Sequence, residues 1–280
     1  MNFWFTLILT VLCIALIADL LVVLLSYSMC WYEYANDAPQ LLEKRFRGRN
    51  LWLILELTLQ ELFFNFLTLL IIPFGMRQPR RSPQKTGEIP VLLLHGLFNN
   101  RASWFWLKGK LHKSGFNNVA TINLSSWHSE EVLTELVAKK VDELRHRLGV
   151  DKVYLVGHSM GGVIARNYLQ LRGGGGKVAR CVCLGAPLLG SKLAPFAISP
   201  LARVLLPGSE FLQRLAEAPI PEGVKVTCIH SCKDNMVLPN SNACLPWGEN
   251  IELDRLGHTA LIYRAPALNS VIAALKEEKA

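Results

Sequence analysis

Apolar and polar positions follow one pattern in the N-terminal third of the chain and another in the remainder. Residues 3–25 form an almost unbroken apolar run in which Asp19 is the single charge. A run of this length can cross a bilayer as a helix, and we predict a transmembrane helix over residues 3–27. A cleaved signal peptide is the alternative, and it would begin with basic residues and end at a small-residue cleavage site. Residues 1–5 carry no Lys or Arg and residues 26–29 make a poor cleavage sequence, so a retained helix is the preferred interpretation.

A second apolar segment covers residues 51–72 and ends at Pro73. Its polar residues recur at intervals of about four, which places most of them on one face of a helix. They are Glu56, Gln60, Glu61, Asn65 and Thr68. Two arrangements fit a helix over residues 51–73: a second membrane helix whose polar stripe packs against the first helix, or an amphipathic helix lying in the membrane interface. Basic clusters at 44–49 and 77–85 follow the two segments, so the distribution of positive charge leaves the side of the membrane open.

From residue 88 to residue 276, short runs rich in Val, Ile and Leu alternate with amphipathic helical patterns. The predicted strands cover 89–96, 118–124, 152–159, 177–187, 224–234 and 250–258. The predicted helices cover 101–114, 129–148, 160–171 and a final stretch to about 275. This alternation predicts an α/β fold with a mostly parallel sheet and helices on both faces. The chain therefore divides into a membrane anchor at 1–76, a basic linker at 77–87 and a globular domain at 88–276.

The amino-acid composition does little to change this division of the chain into anchor, linker and globular domain. The net charge of +8 comes from 30 basic and 22 acidic residues, but no basic stripe interleaved with aromatic residues predicts a nucleic-acid partner. The two basic clusters fit solvated linkers and contact with anionic lipid head groups equally well. Seven scattered cysteines predict neither a disulfide framework nor a metal site. Cys181 and Cys183 alternate on a predicted strand and should pack as small apolar residues, while a bridge between Cys232 and Cys244 is left open.

The sequence GHSMGG at residues 157–162 carries the strongest chemical signal. It follows the strand-like run KVYLV and precedes a helical pattern. A G-x-S-x-G sequence in this context is typical of a nucleophile elbow, in which a strained turn exposes the serine above the sheet. We therefore predict that Ser159 is a nucleophile.

A serine hydroxyl is a weak nucleophile and needs a neighbouring imidazole to accept its proton. His258 lies at the junction of the last strand and the last helix, where the chain order serine, acid, histidine places the base. The other six histidines are weaker candidates for the base, and the side chain of His158 is expected to point away from the serine. The acid that orients the imidazole must fall between these two groups. Asp234, at the start of a loop after a strand, is preferred to Asp254, which lies inside a strand pattern.

A tetrahedral oxyanion needs backbone N–H groups that already point at it. Met160 follows the serine and begins a helix, whose dipole adds a favourable potential. The turn HGLFNN after the first strand offers the second amide, at Leu97. A plain strand-ending turn at His95 and Gly96 is the alternative.

Five motifs occur in a fixed order: VLLLHG, GHSMGGVIARNYLQL, KVARCVCLGAPLLGS, CKDNMVLP and GHTALIYRAPALNSVI. Together they resemble the α/β-hydrolase lipases, especially the small bacterial class 2 triacylglycerol lipases with little or no cap. The resemblance covers about residues 88–275. It implies a triad of Ser159, Asp234 and His258, with the amides of Leu97 and Met160 as the oxyanion hole. It also implies action on carboxylic esters of lipids, without a metal or a cofactor.

The chain departs from this lipase family in two places. The first 80 residues or so have no counterpart in its secreted members. Residues 188–221 are longer than a minimal lipase needs, and a lid, an acyl-binding wall and ordinary packing all fit their apolar stretch.

These features predict a membrane-anchored serine carboxylester hydrolase that cleaves acyl esters, phospholipids included, through an acyl-enzyme intermediate. Its expected partners are a lipid or acyl-ester substrate and the bilayer, and its expected location is the bacterial inner membrane. An acyltransferase with the same triad and an inactive membrane scaffold are the alternatives. The sequence leaves the oligomeric state open.

Overall fold

The structure is a computed structural model that describes residues 2–37, 48–77 and 85–276. The basic cluster at 44–49 and the linker at 77–87 lie largely outside the described residues.

Six parallel strands form one sheet in the order β2-β1-β3-β4-β5-β6. The strands are β1 (Val91–Leu94), β2 (Val119–Ile122), β3 (Val153–His158), β4 (Val178–Leu184), β5 (Lys225–Ser231) and β6 (Glu249–Leu253). Strand order reverses between β1 and β3, and such a reversal leaves a crevice at the carboxyl ends of the strands, where ligands bind in open α/β sheets. The predicted parallel sheet is confirmed, and each predicted strand overlaps an observed one.

Helices cover both faces of this sheet, as predicted. In the globular part they are α3 (Phe105–Lys113), α4 (Glu130–Leu148), α5 (Met160–Leu171), α6 (Glu210–Glu217) and α7 (Ala265–Lys276). Side chains alternate across the strand β1, so that Leu92 and Leu94 pack with α4 and α5 while Val91 and Leu93 pack with α3 and α7. The sheet is therefore buried on both sides, which explains the continuous apolar runs in its sequence.

The cysteines contribute to packing without forming a bridge. Cys181 and Cys183 are buried in the core on β4, as the alternation predicted. Cys232 and Cys244 are both free thiols. The Cys232 sulfur lies 3.6 Å from Asp254, and the Cys244 sulfur lies within 3.7 Å of both ring nitrogens of His230, so the two thiols have different neighbours.

Two long helices precede the globular part: α1 (Phe3–Asp37) and α2 (Gly48–Met76). Both are long and apolar enough to cross a membrane. The sequence interpretation that the second segment ends at Pro73 is wrong, because α2 continues to Met76. Proline in the last helical turn removes only a single backbone donor. The globular part also supplies a donor there, since the Asn100 side chain donates to the carbonyl of Ile72 at 2.7 Å.

The polar stripe of α2 faces the globular part. Glu56 pairs with Arg255, and the hydroxyl groups of Thr68 and Tyr263 lie 2.5 Å apart. Asn65 behaves differently and donates to Asp19 of α1 at 2.8 Å. The predicted packing of the polar stripe against the first helix is therefore found at Asn65 but not at Glu56 or Thr68, because periodicity shows which residues share a helical face but not what that face contacts.

The opposite face of α2 is apolar and exposed. Its exposed large side chains include Leu51, Trp52, Leu55, Leu59, Phe63, Leu70 and Phe74. A surface helix of a soluble protein turns its apolar side to the core and its polar side to water. The helix α2 is oriented the other way round, with Glu61 1% exposed and Phe74 77% exposed.

Residues 188–221 pack as part of the globular domain. Their buried apolar side chains include Leu188, Leu193, Leu201, Leu205, Phe211 and Leu215. The buried guanidinium of Arg166 on α5 donates to the carbonyls of Leu188 at 2.7 Å and Leu215 at 2.8 Å. This segment is therefore tied to the core rather than detached from it.

Candidate active site

Ser159 occupies a sharp turn between β3 and α5. Its backbone angles are φ 52° and ψ −127°, in a region that costs a side-chain-bearing residue free energy. The turn depends on close approach of the strand to the helix, because a Cβ on Gly157 would lie 2.5 Å from the backbone of Gly161. A Cβ on Gly161 would lie 2.2 Å from the carbonyl oxygen of Leu94. The spacing of the two glycines around the serine is thus a steric requirement of this turn.

The predicted base and acid are in direct contact. His258 Nδ1 lies 2.8 Å from Oδ2 of Asp234, and both side chains are buried. The other carboxylate oxygen of Asp234 accepts from the backbone N–H groups of Met236 at 2.7 Å and Val237 at 3.0 Å. The rival Asp254 is exposed and bonds to its own loop through the N–H of Arg255. The contact leaves Nε2 of His258 as the ring atom available to a second group.

Electrostatics favour a basic imidazole at this position. Burial alone would lower the pKa of His258, but the charge and hydrogen bond of Asp234 outweigh it, and the pKa is raised from its usual 6.5. A raised pKa makes the imidazole a better proton acceptor.

A second imidazole lies beside the first. The ring centroids of His158 and His258 are 4.7 Å apart, so the expectation that His158 points away from the site is wrong. The side chain of His158 donates from Nε2 to the backbone carbonyl of His258 at 3.2 Å. Burial lowers the pKa of His158, which keeps this ring neutral.

The predicted oxyanion turn lies directly against the serine. A Cβ on Gly96 would come within 2.9 Å of the Cβ of Ser159, so the close approach requires glycine. His95 accepts from the N–H of Leu124 at Nε2 (2.9 Å), and its Nδ1 therefore donates to the carbonyl of Gly96 at 2.8 Å. That carbonyl belongs to the same planar trans peptide as the N–H of Leu97, and the two groups point in opposite directions. The hydrogen bond that fixes the direction of the carbonyl therefore also fixes the direction of the N–H.

The second predicted donor, Met160, is the first residue of α5. N–H groups in the first turn of a helix have no acceptor within the helix. The two predicted donors therefore lie on the two segments that flank Ser159.

These groups open into a cleft of about 420 Å³ that reaches from the serine to the N-terminal helices. Its lining includes Ser159, Leu97 and His258. Apolar side chains of α1, α2 and the segment after β4 form its walls. They include Leu16 and Val23 from α1, Phe66 and Leu69 from α2, and Leu193 and Leu205. The hydrogen-bonded pair of Asp19 and Asn65 interrupts the apolar wall.

Sequence reasoning missed two residues that hold this site. Asn235 is buried and accepts from the backbone N–H of His258 at 3.2 Å, while its own amide donates to Ser26 of α1 at 2.8 Å. Glu61 of α2 bonds to the two residues that follow His258. A carboxylate in a strongly apolar helix was the available signal for Glu61; Asn235, adjacent to Asp234, gave none.

Within residues 2–37, 48–77 and 85–276, no group of three or more His, Cys, Asp or Glu side chains is arranged to hold a metal ion.

Residues 89–227 match the family described as the alpha/beta hydrolase fold. The match and the parallel sheet show that the globular part has the α/β-hydrolase fold. The match includes the predicted oxyanion turn and Ser159, while Asp234 and His258 follow its end. The helices α1 and α2 precede its start.

A curated relative of this α/β-hydrolase is the sn-1-specific diacylglycerol lipase ABHD11 of Danio rerio, with 27% identity over 145 residues. The alignment covers 50% of this chain and 41% of that protein, so the chain spans less than half of the relative's length.

Two solved structures share the fold. The mature lipase BlEst2 of Bacillus licheniformis is 21% identical with a TM-score of 0.58, over 70% of this chain and 96% of that chain. The lipase B of Aspergillus fumigatus is 19% identical with a TM-score of 0.60, over 71% of this chain and 56% of that chain.

Proposed function

We propose that this α/β-hydrolase is a serine carboxylester hydrolase that cleaves acyl esters of lipids at a membrane. The observation that carries the proposal is the arrangement of a strained serine turn and a buried Asp–His pair around one apolar cleft. A lone G-x-S-x-G sequence would be weak support. The same cleft is also lined by Leu97, which lies on the turn that carries one of the two candidate oxyanion donors.

In the acylation step, Ser159 Oγ attacks the ester carbonyl carbon while Nε2 of His258 accepts the hydroxyl proton. Asp234 holds the ring in the tautomer that presents Nε2 and stabilises the imidazolium that forms. The carbonyl oxygen becomes an oxyanion between the N–H groups of Leu97 and Met160. When the tetrahedral intermediate collapses, His258 gives its proton to the leaving alcohol and an acyl-serine remains.

Deacylation repeats these steps with water as the nucleophile. His258 accepts a proton from the water as its oxygen bonds to the acyl carbon. Collapse then breaks the bond to Ser159, which recovers the proton from His258, and the carboxylic acid is released.

The walls of the cleft support a lipid substrate. Helices α1 and α2 contribute apolar side chains close to the serine, where an acyl chain would exchange water for hydrocarbon. The relative and the structural neighbours are named as lipases, which agrees with this class.

The inverted polarity of α2 supports a membrane location. An outward row of Leu, Phe and Trp side chains costs free energy in water and is stable against lipid. On α1, residues 3–22 are almost entirely exposed and apolar. A bilayer would cover both surfaces and hold the cleft next to its substrate.

Ester hydrolysis by purified full-length protein in detergent tests the proposal. A series of p-nitrophenyl esters from two to sixteen carbons should be cleaved with a preference for the longer acyl chains, and Ser159→Ala should abolish cleavage. Activity that persists in Ser159→Ala would show that Ser159 is not the nucleophile. Product analysis with and without an added alcohol separates hydrolysis from acyl transfer.

A further inference from the structure

The α2 helix contributes a buried carboxylate to the segment that carries the predicted base. Oε2 of Glu61 accepts from the backbone N–H of Thr259, and Oε1 accepts from that of Ala260, each at 2.9 Å. Glu61 is 1% exposed. Both oxygens are therefore engaged, on the two residues that directly follow His258.

The fit between the helix and this segment is close. A Cβ on Gly257 would lie 2.4 Å from the Glu61 carboxyl carbon, so the glycine leaves the space that the carboxylate occupies. The adjacent Gln60 side chain accepts from the N–H of Gly257 at 3.3 Å. Polar groups of α2 thus hold the backbone on both sides of His258.

Without Glu61, the start of the short 3₁₀ turn Ala260–Ile262 would lose the acceptors of two N–H groups. Such donors are expensive to leave unpaired inside a protein. The segment would move to find new partners, and His258 would move with it.

Three other groups hold His258 itself in place. Its ring is held by Asp234, its backbone N–H by Asn235, and its carbonyl by His158. None of these three contacts involves the residues after His258. Glu61 is therefore the group that restrains the backbone on the C-terminal side of His258.

We propose that Glu61 is a positioning residue for the catalytic base, and that α2 is an integral part of the active site as well as a membrane contact. The inference rests on the proposed function, because it assigns Glu61 a role only if His258 serves Ser159. A helix that acts only as an anchor would leave the geometry of the triad independent of its polar face.

The test compares Glu61→Gln with Glu56→Gln in the full-length protein, on a soluble short-chain ester in detergent. Both substitutions remove one carboxylate from the same face of α2. The pair of Glu56 with Arg255 is partly exposed, and exposed ion pairs contribute little. We expect kcat of Glu61→Gln to fall about 10- to 100-fold with KM within about twofold, since small displacements of a catalytic group cost rates of this size. Glu56→Gln should keep wild-type kinetics.

The pH profile separates positioning from a loss of stability. The groups that face His258 are Asp234, Glu61 and His158, and the negative charge of Glu61 helps to raise the pKa of His258. The acid limb of kcat/KM should therefore move to lower pH in Glu61→Gln and stay in place in Glu56→Gln. Thr68→Val, which removes a buried hydrogen bond between α2 and Tyr263, should lower the unfolding temperature without moving this limb.

Wild-type kcat and an unmoved acid limb in Glu61→Gln would overturn the inference, as would an equal loss of kcat in Thr68→Val. If Glu61→Gln does not fold, Gly257→Ala provides the test instead, because the added methyl group would displace the Glu61 carboxylate from the side of the loop. Gly257→Ala should then show the lowered kcat, and unchanged kcat would overturn the inference. Ser159→Ala separates failure of the proposed function from failure of this inference. If Ser159→Ala stays active, the proposed function fails. If Ser159→Ala is inactive and Glu61→Gln has normal kinetics, only the role of Glu61 is contradicted.

Discussion

His258 Nδ1 and Asp234 Oδ2 lie 2.8 Å apart, and His258 lines a cleft whose walls include side chains of the two N-terminal helices. The contact fixes the imidazole tautomer and raises its pKa. The two helices in turn contact the loops that carry this pair, through Ser26 on the acid side and Glu61 on the base side. The predicted triad and the two N-terminal helices are therefore parts of one structure.

The pH dependence of catalysis follows from this contact. In the proposed mechanism the neutral form of His258 is the base, and its pKa is raised from 6.5, so activity should be lost as the pH falls through a value above 6.5. Asp234→Asn removes the charge and weakens the hydrogen bond that raise this pKa while burial still lowers it, so the acid limb should move to lower pH. We also expect kcat to fall by about 1,000- to 10,000-fold, the cost of a wrong tautomer in a serine triad. A kcat/KM profile of both proteins checks the prediction, and coincident acid limbs would contradict it.

The turn beside the serine depends on His95. Burial lowers the pKa of this histidine to about 4, so it is neutral around pH 7 and can accept from the N–H of Leu124 while it donates to the carbonyl of Gly96. His95→Ala should release the peptide that presents the N–H of Leu97 and lower kcat about 10- to 100-fold, with little change in KM. Steady-state kinetics on a soluble ester measure both constants.

His230→Ala is the matched control, because His230 is also a buried histidine but lies on β5 among Cys244 and Glu252. It should change stability and leave kcat close to the wild-type value. Equal kinetic losses in the two variants would mean that the loss in His95→Ala is a general effect of removing a buried ring.

Exposed apolar side chains occur on the surface next to the cleft. Phe196 is 69% exposed, Ile198 80% and Trp127 62%. Ser199 donates to the carbonyl of Ser126, which holds these residues close together. We expect Phe196→Ser with Ile198→Ser to slow hydrolysis of a long-chain ester in liposomes several-fold, because less apolar surface is available to enter the lipid.

The same double variant should cleave a soluble short-chain ester at the wild-type rate. Ile220→Ser is the control, since Ile220 is 57% exposed but, unlike Phe196 and Ile198, is not adjacent in sequence to a residue that lines the cleft. If Ile220→Ser slows liposome hydrolysis as much as the double variant does, the patch has no special role.

The outward face of α2 should contact lipid directly. Trp52 is 67% exposed on this face, whereas Trp104 is 1% exposed in the core of the globular part. In liposomes that contain brominated lipids, quenching of tryptophan fluorescence should decrease in Trp52→Phe. It should not decrease in Trp104→Phe, because the quencher reaches only side chains in the bilayer. Equal quenching in the wild type and Trp52→Phe would place this face outside the membrane.

Much of the fold was predictable because it depends on local patterns. The alternation of short apolar runs and helical patterns gave the parallel sheet, and the glycines around Ser159 indicated a turn that the close approach at Gly157 and Gly161 now explains. The loops of Asp234 and His258 could be found from chain order.

The parts that sequence reasoning missed depend on contacts between distant segments. Glu61 and Thr259 are 198 positions apart, and a helical period cannot show which surface a polar face meets. His158 was misplaced for a related reason, because its direction follows from the strained turn at Ser159 and not from adjacency in sequence. The end of α2 was misplaced because Asn100 and Asn123, in other segments, donate to the carbonyls of Ile72 and Gly75 in its last turns.

The most direct test of the central claim is labelling of the folded full-length protein in detergent with a fluorophosphonate, followed by peptide mapping. The account predicts a single labelled site at Ser159, loss of ester hydrolysis in proportion to labelling, and slower labelling in Asp234→Asn at the same pH. An unlabelled Ser159 in folded protein, or full hydrolysis after complete labelling, would contradict it.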